Sequence, residues 1–327
     1  MNSSDFPWHT DIRRTLLERY VEGRLPHALL LQGPAATGKA GFALSLATAL
    51  VCEQLDTMGA CGTCPSCGLM NAGTHPDYHE LTLPEDGKQL KVDEMRAVID
   101  WSSQTSSRGG NMVAVIHPAH AMNINASNAL LKVLEEPTAN TYFLLVTDQP
   151  ARLLPTIRSR CQVIDLPLPE KTVALSWLAG AGIESATAEP LLAVHGGAPL
   201  AALDAAGDDW QSRRTLVLAT LSRLVGGEIS PMEAAGPLAN KARPAEIYAD
   251  IYTLVADAMK SAHTAGNLRN IDAPSLVAAL AKRYRASVLA QLADAAAEAA
   301  RLADSTSNPN QELLLEAFLS RFAREGR

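Results

Sequence analysis

No apolar run in this chain approaches the roughly 18–20 residues that a membrane span requires; its longest apolar stretches are interrupted by Lys, Asp or Gly. The opening MNSSDFPWHTDIRR also lacks a basic start followed by an apolar stretch, so no signal peptide is expected and the chain reads as soluble and cytoplasmic. Positive charge is short as well: 28 Lys and Arg stand against 35 Asp and Glu, a formal net charge of −7. Affinity for nucleic acid comes largely from cations neutralising phosphates, so an acidic chain without a Lys/Arg-rich stripe is a poor autonomous binder. A protein partner is the better expectation, with Arg108 in Ser106-Ser107-Arg108-Gly109-Gly110 singled out as able to touch a passing backbone. Cysteine is scarce, and four of the five are bunched at metal-type spacing rather than dispersed as a disulfide framework. Disorder is excluded by a globular composition, 47% hydrophobic and 19% charged.

At roughly 100–200 residues per domain, a chain of 327 residues suggests two or three domains. Residues 28–32 form a short apolar run that ends at a Gly-rich turn, and a helical pattern follows from about Lys39 to Cys52. The runs Asn111–Ile116, Tyr142–Thr147 and Gln162–Leu166 read as buried strands. Between them, Asn125–Glu136 places Ala126, Ala129, Leu130, Val133 and Leu134 on one helical face before Pro137 ends the helix. Strands alternating with helices predict a parallel α/β domain over residues 1–166. Strand signals vanish after Leu166-Pro167-Leu168-Pro169-Glu170. Residues 167–207 read as a small helical lid broken at His195-Gly196-Gly197, and residues 208–327 as an all-α C-terminal domain. Its last two helices are separated at Asn308-Pro309-Asn310, with Asn310 the expected N-cap.

Gly33-Pro34-Ala35-Ala36-Thr37-Gly38-Lys39-Ala40 fits the phosphate-loop pattern and lies between a strand and a helix, the context that pattern requires. Backbone N–H groups around Gly33 and Gly38 and the side chain of Lys39 would cradle phosphates at a helix N-terminus. Two parts of the apparatus are missing. Position 40 is Ala, with no hydroxyl for magnesium, and the strand at 112–116 runs into His117-Pro118-Ala119-His120 with no carboxylate. A metal site on His117 and His120 would need a third ligand, and none lies nearby in sequence. Hydrolysis is not expected, while nucleotide binding through Gly33, Gly38 and Lys39 stays open.

Cys61, Cys64 and Cys67 form a C-x₂-C-x₂-C run, with Cys52 shortly before it. Four thiolates match a closed tetrahedral structural zinc site; the tight spacing also suits an iron–sulfur cluster, and free thiols are the bland alternative. The cluster is read as an insertion of about residues 52–67, a structural or protein-contact knuckle. Cys161 reads as a small buried residue, since no His is placed near it in sequence as an activating base.

Asn128-Ala129-Leu130-Leu131-Lys132-Val133-Leu134-Glu135-Glu136-Pro137, Phe143-Leu144-Leu145-Val146-Thr147 and Ile157-Arg158-Ser159-Arg160-Cys161, at this separation, resemble the clamp-loader branch of the AAA+ ATPases. The likeness begins by Leu69-Met70-Asn71-Ala72-Gly73-Thr74-His75-Pro76-Asp77-Tyr78, extends to Glu312-Leu313-Leu314-Leu315-Glu316, and covers essentially the whole chain. It implies an AAA+ P-loop domain, a small lid and a helical collar, with zinc on Cys52, Cys61, Cys64 and Cys67. It implies further that Arg160 projects as an arginine finger into a neighbour's ATP site. Expected partners are the ATPase (gamma/tau) subunits and a delta subunit in a pentameric ring, which places a sliding clamp on primed DNA for DNA polymerase III, a DNA-directed DNA polymerase. Ala40, His117 and Pro118, and the lack of a sensing arginine in His195-Gly196-Gly197-Ala198-Pro199-Leu200, set the chain apart from the motor subunit. No ATPase of its own is expected. Taken without that resemblance, Arg158 and Arg160 read as surface ion-pairing or helix-end residues.

Two other readings compete. An active ATPase with unusual ligands would show magnesium-dependent turnover in isolation. A zinc-containing DNA-binding module would show salt-dependent DNA affinity without partners.

Overall fold

The computed structural model describes residues 6–56, 59–84, 89–206, 210–239, 244–261, 268–303 and 310–324. Residues 1–5, the expected boundary at 207/208, and Asn308 with Pro309 lie outside them. The chain divides into two compact units, residues 1–173 and 174–327.

The first unit contains α1 (Thr10–Val21), β1 (Ala28–Gln32), α2 (Lys39–Leu50), α3 (Pro65–Asn71), β2 (Tyr78–Thr82), α4 (Val92–Ser102), β3 (Met112–His117), α5 (Ile124–Glu135), β4 (Thr141–Thr147), α6 (Pro155–Arg158) and β5 (Gln162–Asp165). The strands form one parallel sheet in the order β2-β3-β4-β1-β5. A parallel sheet covered on both faces buries every residue of its central strands, which is why β1, β3 and β4 are near-continuous apolar runs. Alternate residues serve opposite layers. Leu29, Leu31, Val113, Val115, Leu144 and Val146 pack with α1 and α2. Leu30, Ala114, Ile116, Phe143 and Leu145 pack with α4, α5 and Ile157 of α6. On α5, Ala126, Ser127, Leu130 and Leu134 are buried and Ala129 and Val133 partly so, as the helical pattern predicts. The strand β2 carries no such signal in sequence. It lies at a sheet edge and buries only Leu81, so its alternation is too weak to read.

In the second unit, α7 (Lys171–Gly180), which starts just before the dividing line, α8 (Ser185–Val194) and α9 (Pro199–Ala206) share a small core with Trp210. The break at His195-Gly196-Gly197 is present, with Gly196 and Gly197 both at positive φ. A larger core joins α10 (Trp210–Gly226), α11 (Pro231–Ala239), α12 (Pro244–Ser261), α13 (Pro274–Arg283), α14 (Ala286–Ala303) and α15 (Gln311–Arg324). Asn310 caps α15 as expected, its side-chain oxygen accepting the Leu313 N–H at 3.1 Å. Buried charge pins the start of α10: Arg214 donates to both Asp272 oxygens at 2.9 Å and to Asn270 at 2.6 Å. Such a cluster fixes geometry more than it adds stability, because desolvation offsets most of the attraction. None of the described helices is long and apolar enough to cross a membrane.

Candidate functional site

The loop from Gly33 to Lys39 leaves β1 at the carboxyl edge of the sheet and opens α2, where open α/β sheets bind ligands. Its groups are turned inward. Thr37 donates its hydroxyl to the Pro34 carbonyl at 3.0 Å, and the Lys39 ammonium donates to the same oxygen. Lys39 is 6% exposed. Burial pulls its pKa below the ordinary lysine value, against the opposing charge of Asp148. A backbone carbonyl therefore occupies the ammonium that a phosphate would take.

The chain's own N-terminal segment closes the corner. Phe6 and Trp8 stack with ring centroids 5.0 Å apart, and Trp8 donates its indole N–H to the Thr37 carbonyl at 2.9 Å. Gly38 has φ +88°, and a Cβ there would stand 2.3 Å from the Phe6 ring. Gly33 is equally confined, since a Cβ would stand 2.0 Å from the Leu166 carbonyl. Both glycines are thus required by close packing within the chain. His9 packs edge-on against Phe42, 5.2 Å between centroids. Burial and the charge of Lys39 push His9 down to about 4, so it packs as a neutral ring.

At the end of β3, His117 and His120 stand where a magnesium-binding carboxylate is missing. Strand order brings in one acid that the sequence reading did not anticipate: Asp148, which follows β4, lies 3.3 Å from His120 Nδ1. His120 Nδ1 is also 3.0 Å from the Thr147 hydroxyl, and burial lowers the pKa of both histidines. The trio does not draw together: among the described residues, only the cysteine quartet groups three or more ligating side chains at metal-binding distance. Ala40 adds no hydroxyl.

Arg160 lies at the other edge of the sheet. Because β5 runs parallel to β1 with Leu29 opposite Gln162, Arg160 precedes the strand start while the phosphate loop follows the strand end. A five-residue strand at about 3.3 Å per residue separates them by roughly 15 Å, so Arg160 cannot reach its own chain's loop. Its guanidinium is exposed, donating to the Thr156 carbonyl at 3.1 Å and pairing with Glu135 at the end of α5. In this chain alone the ion-pairing reading of Arg160 therefore holds. Cys161 is buried, and burial pushes its thiol up to about 12, as suits a packing residue.

Cys52, Cys61, Cys64 and Cys67 converge, their sulfurs all within 4.8 Å of one another, with pairs at 3.7, 3.9 and 4.0 Å. Zn–S bonds of ~2.3 Å in a tetrahedron set sulfurs ~3.8 Å apart. The fit is close. Backbone N–H groups of Gln54, Cys61, Cys64 and Cys67 point at three of the sulfurs at 3.3–3.4 Å, the kind of donor that stabilises thiolate. Backbone donors, that of Thr63 first, lower Cys61 to about 6. Arg108 braces this knuckle: it donates to Glu53 at 2.7 Å and to Ser66 at 3.1 Å. Buried Asp77 in turn accepts the N–H groups of Ser107 and Arg108 at 2.7 and 3.0 Å.

A family model described as "DNA polymerase III, delta subunit" matches residues 8–170, and "DNA polymerase III, delta subunit, C terminal" matches residues 207–324. The chain is 37% identical over 319 residues to the DNA polymerase III subunit delta' of Escherichia coli, covering 97% of this chain and 94% of that one. It is 43% identical over 236 residues to the subunit delta' of Pseudomonas aeruginosa, 72% of this chain and 70% of the other. A gamma subunit-related protein from Thermotoga maritima aligns over 96% of this chain and 100% of its own at 16% identity, with a TM-score of 0.44 too low to add weight. Matched by both models and by a relative over nearly its full length, the chain belongs to the DNA polymerase III delta-prime subunit family.

Proposed function

We propose that this chain is the non-hydrolysing delta-prime subunit of a cytoplasmic DNA polymerase III clamp loader, supplying Arg160 in trans to a neighbouring ATPase subunit. One observation carries the reading. Phe6 packs on Gly38, Trp8 bonds the Thr37 carbonyl and Lys39 is engaged by the Pro34 carbonyl, whereas Arg160 stays exposed at the opposite sheet edge. Gly33, Gly38 and Lys39 then serve packing, and nucleotide is not held there. Partners are the gamma/tau ATPase subunits and delta in a pentameric ring, with the sliding clamp and primed DNA reached through that complex. The division into an AAA+ domain (1–166), a lid (167–207) and a collar (208–327) is supported by the two separate cores of the second unit.

A guanidinium beside a γ-phosphate stabilises the charge that develops during transfer. The exposed ion pair that now holds Arg160 contributes only about 0–1 kcal/mol, so exchange for a phosphate costs little. Replacing Arg160 with Ala is expected to lower ATP turnover of the reconstituted complex while gel filtration shows it assembled; undiminished turnover would remove the finger role.

The cysteine knuckle is assigned a structural zinc, with all four positions filled by sulfur and none left open for chemistry. Metal analysis of purified protein is expected to give one zinc per chain, and its absence or the presence of iron would reject the assignment. Against an active ATPase stand Ala40 and the closed loop; against a DNA-binding module stand the net acidic charge and the use of Arg108 as a brace.

A further inference from the structure

Glu135 occupies a position that the local helix disfavours. It is the last residue of α5, followed by Glu136, where the helix dipole presents partial negative charge and favours cations. Neither packing nor capping explains an acid there, since its side chain is 50% exposed. The α5 backbone beneath it is fixed: Asn123 caps the N-terminus, Leu130 and Leu134 are buried, and the Leu134 carbonyl meets His27 Nε2 at 3.0 Å. Glu135 is thus a carboxylate on a rigid mount, and its partner is Arg160.

The arginine is mounted in the same way. Ile157 is fully buried, and the Arg160 backbone N–H bonds to the Ile157 carbonyl at 3.1 Å, so the side chain leaves a fixed point. One terminal nitrogen, Nη1, donates to the Thr156 carbonyl at 3.1 Å and lies 3.5 Å from the Ser159 hydroxyl; the other, Nη2, is held by Glu135. A guanidinium has five N–H donors in a rigid planar fork, so these contacts fix its plane and leave donors for a further anion.

We propose that Glu135 is a positioning residue for Arg160, holding the guanidinium in one orientation so that it enters a neighbour's phosphate site already ordered. This rests on the finger reading of Arg160. Without Glu135 the long arginine side chain samples other rotamers, and each encounter must order it again. The carboxylate touches no substrate and acts only through Arg160.

The test uses the reconstituted clamp loader with sliding clamp and primed DNA, comparing Glu135→Ala, Glu135→Asp, Arg160→Ala and the double variant Glu135→Ala/Arg160→Ala. An exposed pair of this kind is expected to change the hydrolysis rate at the adjoining site, resolved by pre-steady-state kinetics, roughly two- to fivefold. Glu135→Ala should lower the rate at that site by that factor with KM and assembly unchanged, and Glu135→Asp should recover part of it. The double variant should match Arg160→Ala alone. If Arg160→Ala lowers turnover but Glu135→Ala does not, the positioning role is wrong while the finger stands. A further loss from Glu135→Ala in the Arg160→Ala background would also overturn it, because Glu135 would then act by itself. If Arg160→Ala changes nothing, both readings fall together.

Discussion

The two edges of one parallel sheet hold their cationic side chains in opposite ways. At the carboxyl edge, Lys39 and Thr37 converge on the Pro34 carbonyl beneath Phe6 and Trp8. At the amino edge, Arg160 and Glu135 meet in solvent. A group that serves only its own chain can be buried and internally bonded, and that bonding then adds to stability. A group meant for another surface must stay exposed and be held only by contacts that exchange cheaply. Thr37, Gly38 and Lys39 are buried, whereas Arg160 lies outside the core.

The largest expected effect breaks the exposed edge. Arg160→Ala should slow hydrolysis at the adjoining site by on the order of 10³, the contribution of arginine fingers in other phosphoryl-transfer systems. Pre-steady-state hydrolysis resolved for the adjoining site reads it, because the other ATPase sites of the ring do not use Arg160, and the thermal midpoint of the isolated variant should match that of the parent chain. A fall in both would mean that Arg160 is a structural residue like those of the other edge.

A smaller effect tests the closed edge. Gly38→Ala places a Cβ at positive φ and against the Phe6 ring. Left-handed backbone costs about 1–2 kcal/mol, and displacing a packed ring about 1–3 kcal/mol more. Denaturant unfolding should therefore show a loss of about 2–5 kcal/mol. A loss confined to the backbone contribution would mean that Phe6 swings away freely and the corner is open. The smallest effect is a null one. Ala40→Ser restores the missing hydroxyl, yet magnesium-dependent turnover should stay at background, because His117 and Pro118 supply no acid and Lys39 is engaged by the Pro34 carbonyl.

Much of this contrast was legible in the sequence, and the remainder was hidden for identifiable reasons. The buried strands β1, β3 and β4 and the helix α5 announce themselves by continuous or periodic apolar residues. Ala40, the four cysteines and Arg160 follow from spacing and resemblance. Strand β2 does not, because an edge strand with one buried side chain has no pattern to detect. Asp148 reaches the histidines only through the strand order, which single-sequence periodicity does not carry. The Phe6–Trp8 pair lies about 30 residues before the loop that it packs against. Its one signal was two aromatic residues among the first eight of a chain with 5% aromatics. Glu135 left a fainter one, an acid pair at a helix end that favours cations.

The central claim is that the phosphate loop is closed by its own chain, and direct nucleotide binding by the isolated, zinc-loaded protein tests it. Equilibrium dialysis with labelled ATP, with and without magnesium, should show no saturable binding, and hydrolysis should stay at background. Tight, saturable binding would contradict the account, since nucleotide would then displace the Pro34 carbonyl from Lys39.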